Sequence, residues 1–151
     1  MRAETHGGSP PRFWTVWVVL ASLGVAVFGL ALVVAPALAR RGFSLLVYLD
    51  PQRIDGFGPE AVRYVELSHA VIGGVMVGWG VALAAVSARL VSRGSRFGWN
   101  VVAGSLLAWF VPDTIFSLWS GFWQNAVLNL SFATLFALPL AALRAAMRDD
   151  D

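Results

Sequence analysis

The sequence predicts an all-α membrane protein, a single polytopic bundle of four transmembrane helices, and three observations lead there. Hydrophobic residues fill 58% of the 151 positions and charged residues 13%, with a mean hydropathy of +0.69; an average soluble domain carries roughly 25% charged side chains. Four apolar stretches, about residues 13–38, 59–90, 97–119 and 122–147, are each long enough for the ~20 helical residues that a bilayer core requires. Only short polar turns and one sizeable loop, 39–58, separate them, so residues 1–151 read as one transmembrane domain.

The first span ends in "APALARR", where Ala37 and Ala39 give the small-x-small pattern of a signal-peptidase site. The apolar run before it far exceeds the 7 to 15 residues of a signal-peptide core, so it is expected to remain as a helix. The following loop, "RRGFSLLVYLDPQRIDGFGPEAVRY", carries turn signals at Asp50-Pro51, Asp55-Gly56 and Gly58-Pro59. Its segment "FSLLVYL" is too short to span and is expected to lie against the outer face. Pro59 suits the first position of a helix, and Glu60 complements the positive end of that helix, which sets the start of the second span near residue 59. Between the third and fourth spans only about "SGFWQ" remains, which forces those helices to be antiparallel neighbours.

The net charge of +2 comes from eleven arginines and no lysine. With the N-terminus inside, Arg2, Arg12, Arg89, Arg93, Arg96, Arg144 and Arg148 fall on the cytoplasmic side, and Arg40, Arg41, Arg53 and Arg63 on the other. Because orientation follows the arginine and lysine balance, both termini are expected in the cytoplasm. Arginines scattered beside apolar segments form no nucleic-acid stripe, so the expected partner is the bilayer, with other membrane subunits or a homodimer as further options. The chain has no cysteine, which excludes disulfides, thiolate metal sites and thiol nucleophiles. The steps Ala70, Gly74, Gly78 in the second span and Ala133, Ala137, Ala141 in the fourth are expected to allow close helix packing.

The chemistry concentrates around "LLAWFVPDTIFSLWSGFWQNAVLNLS", which sets Asp113 inside an otherwise apolar span. A charged side chain at the middle of a membrane costs at least ~2.5 kcal/mol, so it needs a partner, a pocket or a task. At ~1.5 Å per residue, Glu66 and His69 lie ~9 and ~13 Å below the outer surface, Asp113 and Ser117 ~9 and ~3 Å, Asn125 and Asn129 ~5 and ~10 Å. These six share the non-cytoplasmic third of the bundle. Each pair is three or four residues apart and shares a helix face, which is expected to turn inward. Trp109 and Trp119 flank Asp113, and Tyr64, Phe122 and Trp123 sit near the mouth; an interfacial aromatic belt accounts for Trp119 and Trp123 equally well. Pro112 removes a backbone hydrogen bond and kinks the helix beside Asp113. The simplest structural role for Asp113 is a neutral or hydrogen-bonded lock held by Asn129, His69 or Thr114.

Glu66-x-x-His69 has the spacing of a di-iron helix, but the second pair and the two further glutamates are missing. The only other histidine, His6, lies in the polar N-terminal tail, so no metal site is expected unless His69 alone ligates a haem or a pigment. Glu66, His69 and Asp113 in one low-dielectric layer are the candidate catalytic groups of a proton-transfer enzyme, an isomerase or hydratase acting on a lipophilic substrate. Serine-hydrolase, P-loop and HExxH signatures are absent. The preferred expectation is an accessory or scaffold subunit, or a binder of a small lipophilic ligand through Glu66, His69, Trp109, Asp113, Ser117, Asn125 and Asn129. No cofactor is assigned.

Four helices, a first loop closing with "GPEAVRYVELSHAVIGGVMVGWGVAL", a short arginine turn and an acidic residue in the third helix resemble the DoxX-like small bacterial membrane proteins. That resemblance implies a four-helix bundle in a bacterial inner membrane, often an accessory subunit, and supplies no catalytic residues. The crowded outer layer of His69, Asp113, Asn125 and Asn129 departs from it.

Overall fold

The computed structural model describes residues 12–148; His6 and the acidic end at 149–151 lie outside the described residues. The chain is all-α. Five helices follow one another: α1 (Arg12–Val34), α2 (Pro36–Tyr48), α3 (Pro59–Arg89), α4 (Arg96–Trp119) and α5 (Trp123–Arg148), with 3₁₀ turns over Arg53–Phe57 and Val91–Arg93. Of these, α1, α3, α4 and α5 are long and apolar enough to cross a membrane, and the chain fits a multi-pass membrane protein. Leu20, Val27, Val75 and Leu138 are each more than half exposed on the helix surfaces, an arrangement stable only where lipid rather than water surrounds them.

The boundaries around residues 35–58 correct the expectation. The first span stops at Val34 instead of 38, and the presumed loop holds α2, a helix that starts with Pro36 in its first turn. Proline lacks an amide hydrogen and suits a helix start, which explains why the chain restarts there. The end of α2 turns through Leu49 in the left-handed region (φ 58°), whose amide donates to the Leu45 carbonyl. By contrast α3 begins at Pro59 behind Gly58, whose φ of 94° is open to glycine at little cost.

The bundle is built on the pair α1–α3. Thr15, Val18, Ser22, Val25, Gly29 and Leu32 repeat at three- and four-residue steps and form the buried face of α1. Against it lie Gly73 and Gly80. A Cβ on Gly73 would collide with the Gly29 carbonyl and come within 2.8 Å of Leu32 Cβ; a Cβ on Gly80 would come within 2.6 Å of the Ser22 carbonyl and the Ala26 amide nitrogen. The backbones touch because no side chain intervenes. Gly74 and Gly78, the expected contact residues, face open space instead, and Ala137 and Ala141 of the second stripe are exposed. The core gathers at the end of the bundle carrying the Val91–Arg93 turn, where Val91, Val102 and Leu143 are fully buried and Met147 nearly so.

Two prolines lie inside helices. At Pro112, α4 runs on unbroken to Trp119. Pro139 is fully buried in α5, and its missing amide frees the Leu135 carbonyl four residues earlier. Trp17 of α1 fills that gap: its indole Nε1 donates to the Leu135 oxygen at 3.0 Å. Trp99 Nε1 of α4 donates to the Leu140 carbonyl at 2.8 Å. Both neighbours of α5 are thus pinned to its proline-weakened turn.

Two sets of variants test this packing by thermal melting in detergent. Gly73→Ala lowers stability by about 1–3 kcal/mol because the added methyl meets backbone that cannot move aside, whereas Gly74→Ala and Gly78→Ala leave it unchanged or slightly raised. Trp17→Phe, which keeps the ring and removes the donor, costs about 1–3 kcal/mol; equal loss from Trp123→Phe at an exposed position would contradict the pairing.

Candidate functional site

At the end of the bundle opposite the packed core, the polar residues form two separate clusters. The first ties α2 to α3. Arg40 and Ser44 are four residues apart, hence on one face of α2, and both are buried. Arg40 Nε donates to Glu66 Oε1 at 3.1 Å, and its Nη1 pairs with the Asp55 carboxylate from the 3₁₀ turn. The Ser44 hydroxyl donates to the Asp50 carbonyl at 2.6 Å and accepts from the Ile54 amide at 3.4 Å. A buried guanidinium is tolerable only with its charge compensated, and two carboxylates do so here. Glu66 is therefore a counter-ion of α2, with its side chain 29% exposed.

The second cluster joins α4 to α5. The Ser117 hydroxyl donates to the Asp113 carbonyl at 2.7 Å, with Asp113 Oδ1 a longer second acceptor at 3.3 Å. Asn125 Nδ2 donates both to Asp113 Oδ1, at 3.1 Å, and to Ser117 Oγ, at 2.8 Å. The tight turn at Ser120–Phe122 makes this possible: Gly121 takes φ 83° and the Phe122 amide returns to the Ser117 carbonyl at 2.8 Å, folding the start of α5 back on the end of α4. One turn deeper, the buried Asn129 donates to Thr114 Oγ1 at 3.4 Å. Asp113 is held by Asn125 and Ser117, and neither Asn129, His69 nor Thr114 is its hydrogen-bond partner.

Phe43 and His69 lie between the clusters, ring centres 5.0 Å apart, and His69 Nδ1 is 2.8 Å from the Val65 carbonyl of its own helix. A carbonyl oxygen can only accept, so Nδ1 is the donor in that contact.

Two cavities meet at this level. The larger, about 500 Å³, runs from Asp113, Asn125 and Asn129 towards Trp79, Leu106 and Phe136 in the middle of the bundle. The smaller, about 340 Å³, lies beyond it among Tyr48, Ile54, Ser117 and Phe122. Phe43, Asp113 and Asn125 line both and so stand at the boundary between an outer vestibule and an inner chamber. The chamber wall is otherwise apolar and aromatic: Trp79 packs on Trp109 with ring centres 5.8 Å apart, and Phe28 on Phe132 at 5.9 Å. Its volume and polarity fall in the range of small-molecule pockets, ~300–1,000 Å³ with a few convergent polar groups.

Of the residues singled out from the sequence, Trp109, Asp113, Asn125 and Asn129 line the chamber, and Ser117 lines the vestibule. Glu66 and His69 line neither and turn towards α2. The three candidate acid–base groups are therefore not in contact: each is committed to a different partner. His69 has Phe43 against its ring and is not among the residues lining either cavity. Among the described residues no three histidine, aspartate or glutamate side chains gather around a common metal position. Trp119, Tyr64 and Trp123 point outward, and of the expected mouth aromatics only Phe122 lines a cavity. Phe43, Trp79 and the α2 clip were missed; the four-residue step Arg40–Ser44 behind Pro36 was the signal for the clip. Comparison with protein-family models, curated proteins and solved structures gives no significant match.

The hydrogen bonds set an expectation for Asp113 in detergent melting. Asp113→Asn keeps an acceptor for Asn125 and Ser117 and is close to neutral, whereas Asp113→Leu strands both donors and costs about 1–3 kcal/mol. Adding His69→Gln to either is additive within ~0.5 kcal/mol, since the two side chains share no partner; strong coupling would mean that they do. For the clip, Arg40→Gln destabilises by about 1–3 kcal/mol and the exposed Arg41→Gln by less than ~0.5 kcal/mol.

Proposed function

We propose that this is a small integral membrane protein that binds a lipophilic ligand in the chamber between α1, α3, α4 and α5. The observation that carries this reading is a 500 Å³ apolar, aromatic space with Asp113, Asn125 and Asn129 at one end only. The space opens to the bundle surface beside Val71, Ile72 and Val75, each more than half exposed, so an amphiphile can enter it from the bilayer. A ligand with an apolar body and a polar end suits it. The aromatic rings supply contact area, and the amide and carboxyl groups set the orientation.

The proton-transfer reading gains less support. General acid–base work needs the acid and base within hydrogen-bond reach of one substrate, and Glu66 is held by Arg40 while His69 lines neither cavity. An accessory role for the same protein is compatible with ligand binding, as the resemblance to DoxX-like proteins suggests. The arginine distribution supports cytoplasmic termini, an orientation that would put the chamber in the non-cytoplasmic half, and the resemblance to DoxX-like proteins supports a bacterial inner membrane.

Native mass spectrometry of the protein extracted in lipid nanodiscs tests the reading: a co-purified amphiphile is expected, and Leu128→Trp, which fills the chamber, loses it without loss of the fold. A ligand-free spectrum from membranes, unchanged by Leu128→Trp, would favour a pure scaffold. Since the chain has no cysteine, single cysteines at 6, 56, 94 and 150 report orientation; labelling from inside, outside, inside and inside is expected, and 56 and 94 labelling from the same side would overturn it.

A further inference from the structure

Asp113 is the only acidic or basic side chain lining the chamber, and apart from the Tyr48 phenol the only titratable one in the vestibule. Among the described residues no cation is paired with it. Arg40 is engaged by Asp55 and Glu66, and the ring of His69 is turned to Phe43. The contacts to Asp113 Oδ1 come from neutral donors, Asn125 Nδ2 and Ser117 Oγ, and no donor among the described residues reaches Oδ2. The donors thus gather on one oxygen and leave the other without a hydrogen bond where the two cavities adjoin.

The rest of the wall repeats the same preference. Phe43, Trp79, Trp109, Phe28 and Phe132 line the chamber, and the faces of aromatic rings attract cations and repel anions. Neither cavity wall contains an arginine, so an anionic headgroup would find no counter-charge there. A neutral lipophile would gain contact area alone and leave the carboxylate without a partner.

Resting on the chamber as a ligand site, we propose that its ligand class is the lipophilic cation: an amphiphile or aromatic compound whose ammonium- or phosphonium-type charge sits at Asp113 and whose apolar body occupies the aromatic chamber. The Asp113 carboxylate supplies the charge selectivity, and the rings supply contact that tolerates varied shapes. Phe43, carried by α2, lines both cavities alongside Asp113.

Isothermal titration of the full chain in detergent micelles separates the possibilities with three probes of related shape: tetraphenylphosphonium, tetraphenylborate and neutral triphenylphosphine oxide. The cation is expected to bind at least about tenfold more tightly than the oxide, and the borate to give no saturable heat. Asp113→Asn brings the cation down to the affinity of the oxide, which still binds, and Asp113→Glu keeps the preference. Equal binding of cation and oxide by the natural chain, or a cation preference that survives Asp113→Asn, overturns the assignment. In that event oxide binding that Leu128→Trp abolishes leaves the chamber standing as a ligand site. Absence of binding by all three probes, together with a ligand-free native mass spectrum, removes both.

Discussion

The contact on which the rest of the bundle depends is the backbone-to-backbone approach of α1 and α3 at Gly29, Gly73 and Gly80. In lipid no hydrophobic force drives helices together, since the surrounding chains are as apolar as the side chains. Close packing must supply the attraction, and glycine allows the closest. Once α1 and α3 are seated on each other, α4 and α5 close the bundle from the other side. They meet the pair tightly where Val91, Val102, Leu143 and Met147 interlock. Towards α2 the wall is set by the larger rings of Phe28, Trp79, Trp109 and Phe132, and a chamber remains between them. A bundle tight at one end and open at the other follows from where the glycines and the rings fall in the sequence.

The second constraint is that every polar group at membrane depth needs a partner from the chain itself. Three places meet it in different ways. Pro139 frees a carbonyl, and an indole from α1 occupies it. Arg40 is buried, and two carboxylates from separate elements surround it. Asp113 is met halfway: one oxygen is held by Asn125 and Ser117, and the other opens on the cavities. The first two are finished structural solutions, while the third leaves a carboxyl group with hydrogen-bonding capacity to spare. That difference, rather than depth or proximity, separates a structural polar residue from a candidate binding residue in this fold.

Much of this was legible in the sequence, and the failures have physical causes. The four spans, the helix start at Gly58-Pro59, the α4–α5 hairpin and the grouping of Asp113, Ser117 and Asn125 follow from length, turn chemistry and helical spacing. The existence of α2 did not, because a length rule for spanning segments is silent on a 13-residue helix folded against the bundle. The contact stripe of α3 was misplaced by one residue. Steps of four drift by ~40° each around a helix, so Ala70, Gly74 and Gly78 wind away from a neighbour, whereas a step of seven, as in Gly73 to Gly80, drifts by only ~20° and stays in contact. The roles of Glu66 and Trp17 depend on Arg40 and Pro139, which are remote in sequence, and no local pattern reveals such pairs.

The central claim is that an accessible chamber lies beneath Asp113, whereas Leu143 towards the opposite end is fully packed. In a chain without cysteine, one thiol at Leu128 on the chamber wall and one at Leu143 in the packed core compare the two directly. The measurement is the rate of modification by a small neutral methanethiosulfonate in detergent, with and without a bound lipophilic cation. The account predicts that Leu128→Cys reacts, that the cation slows the reaction, and that Leu143→Cys is inert in the folded protein. Equal inertness at both positions, or reaction at 128 that no ligand slows, would contradict it.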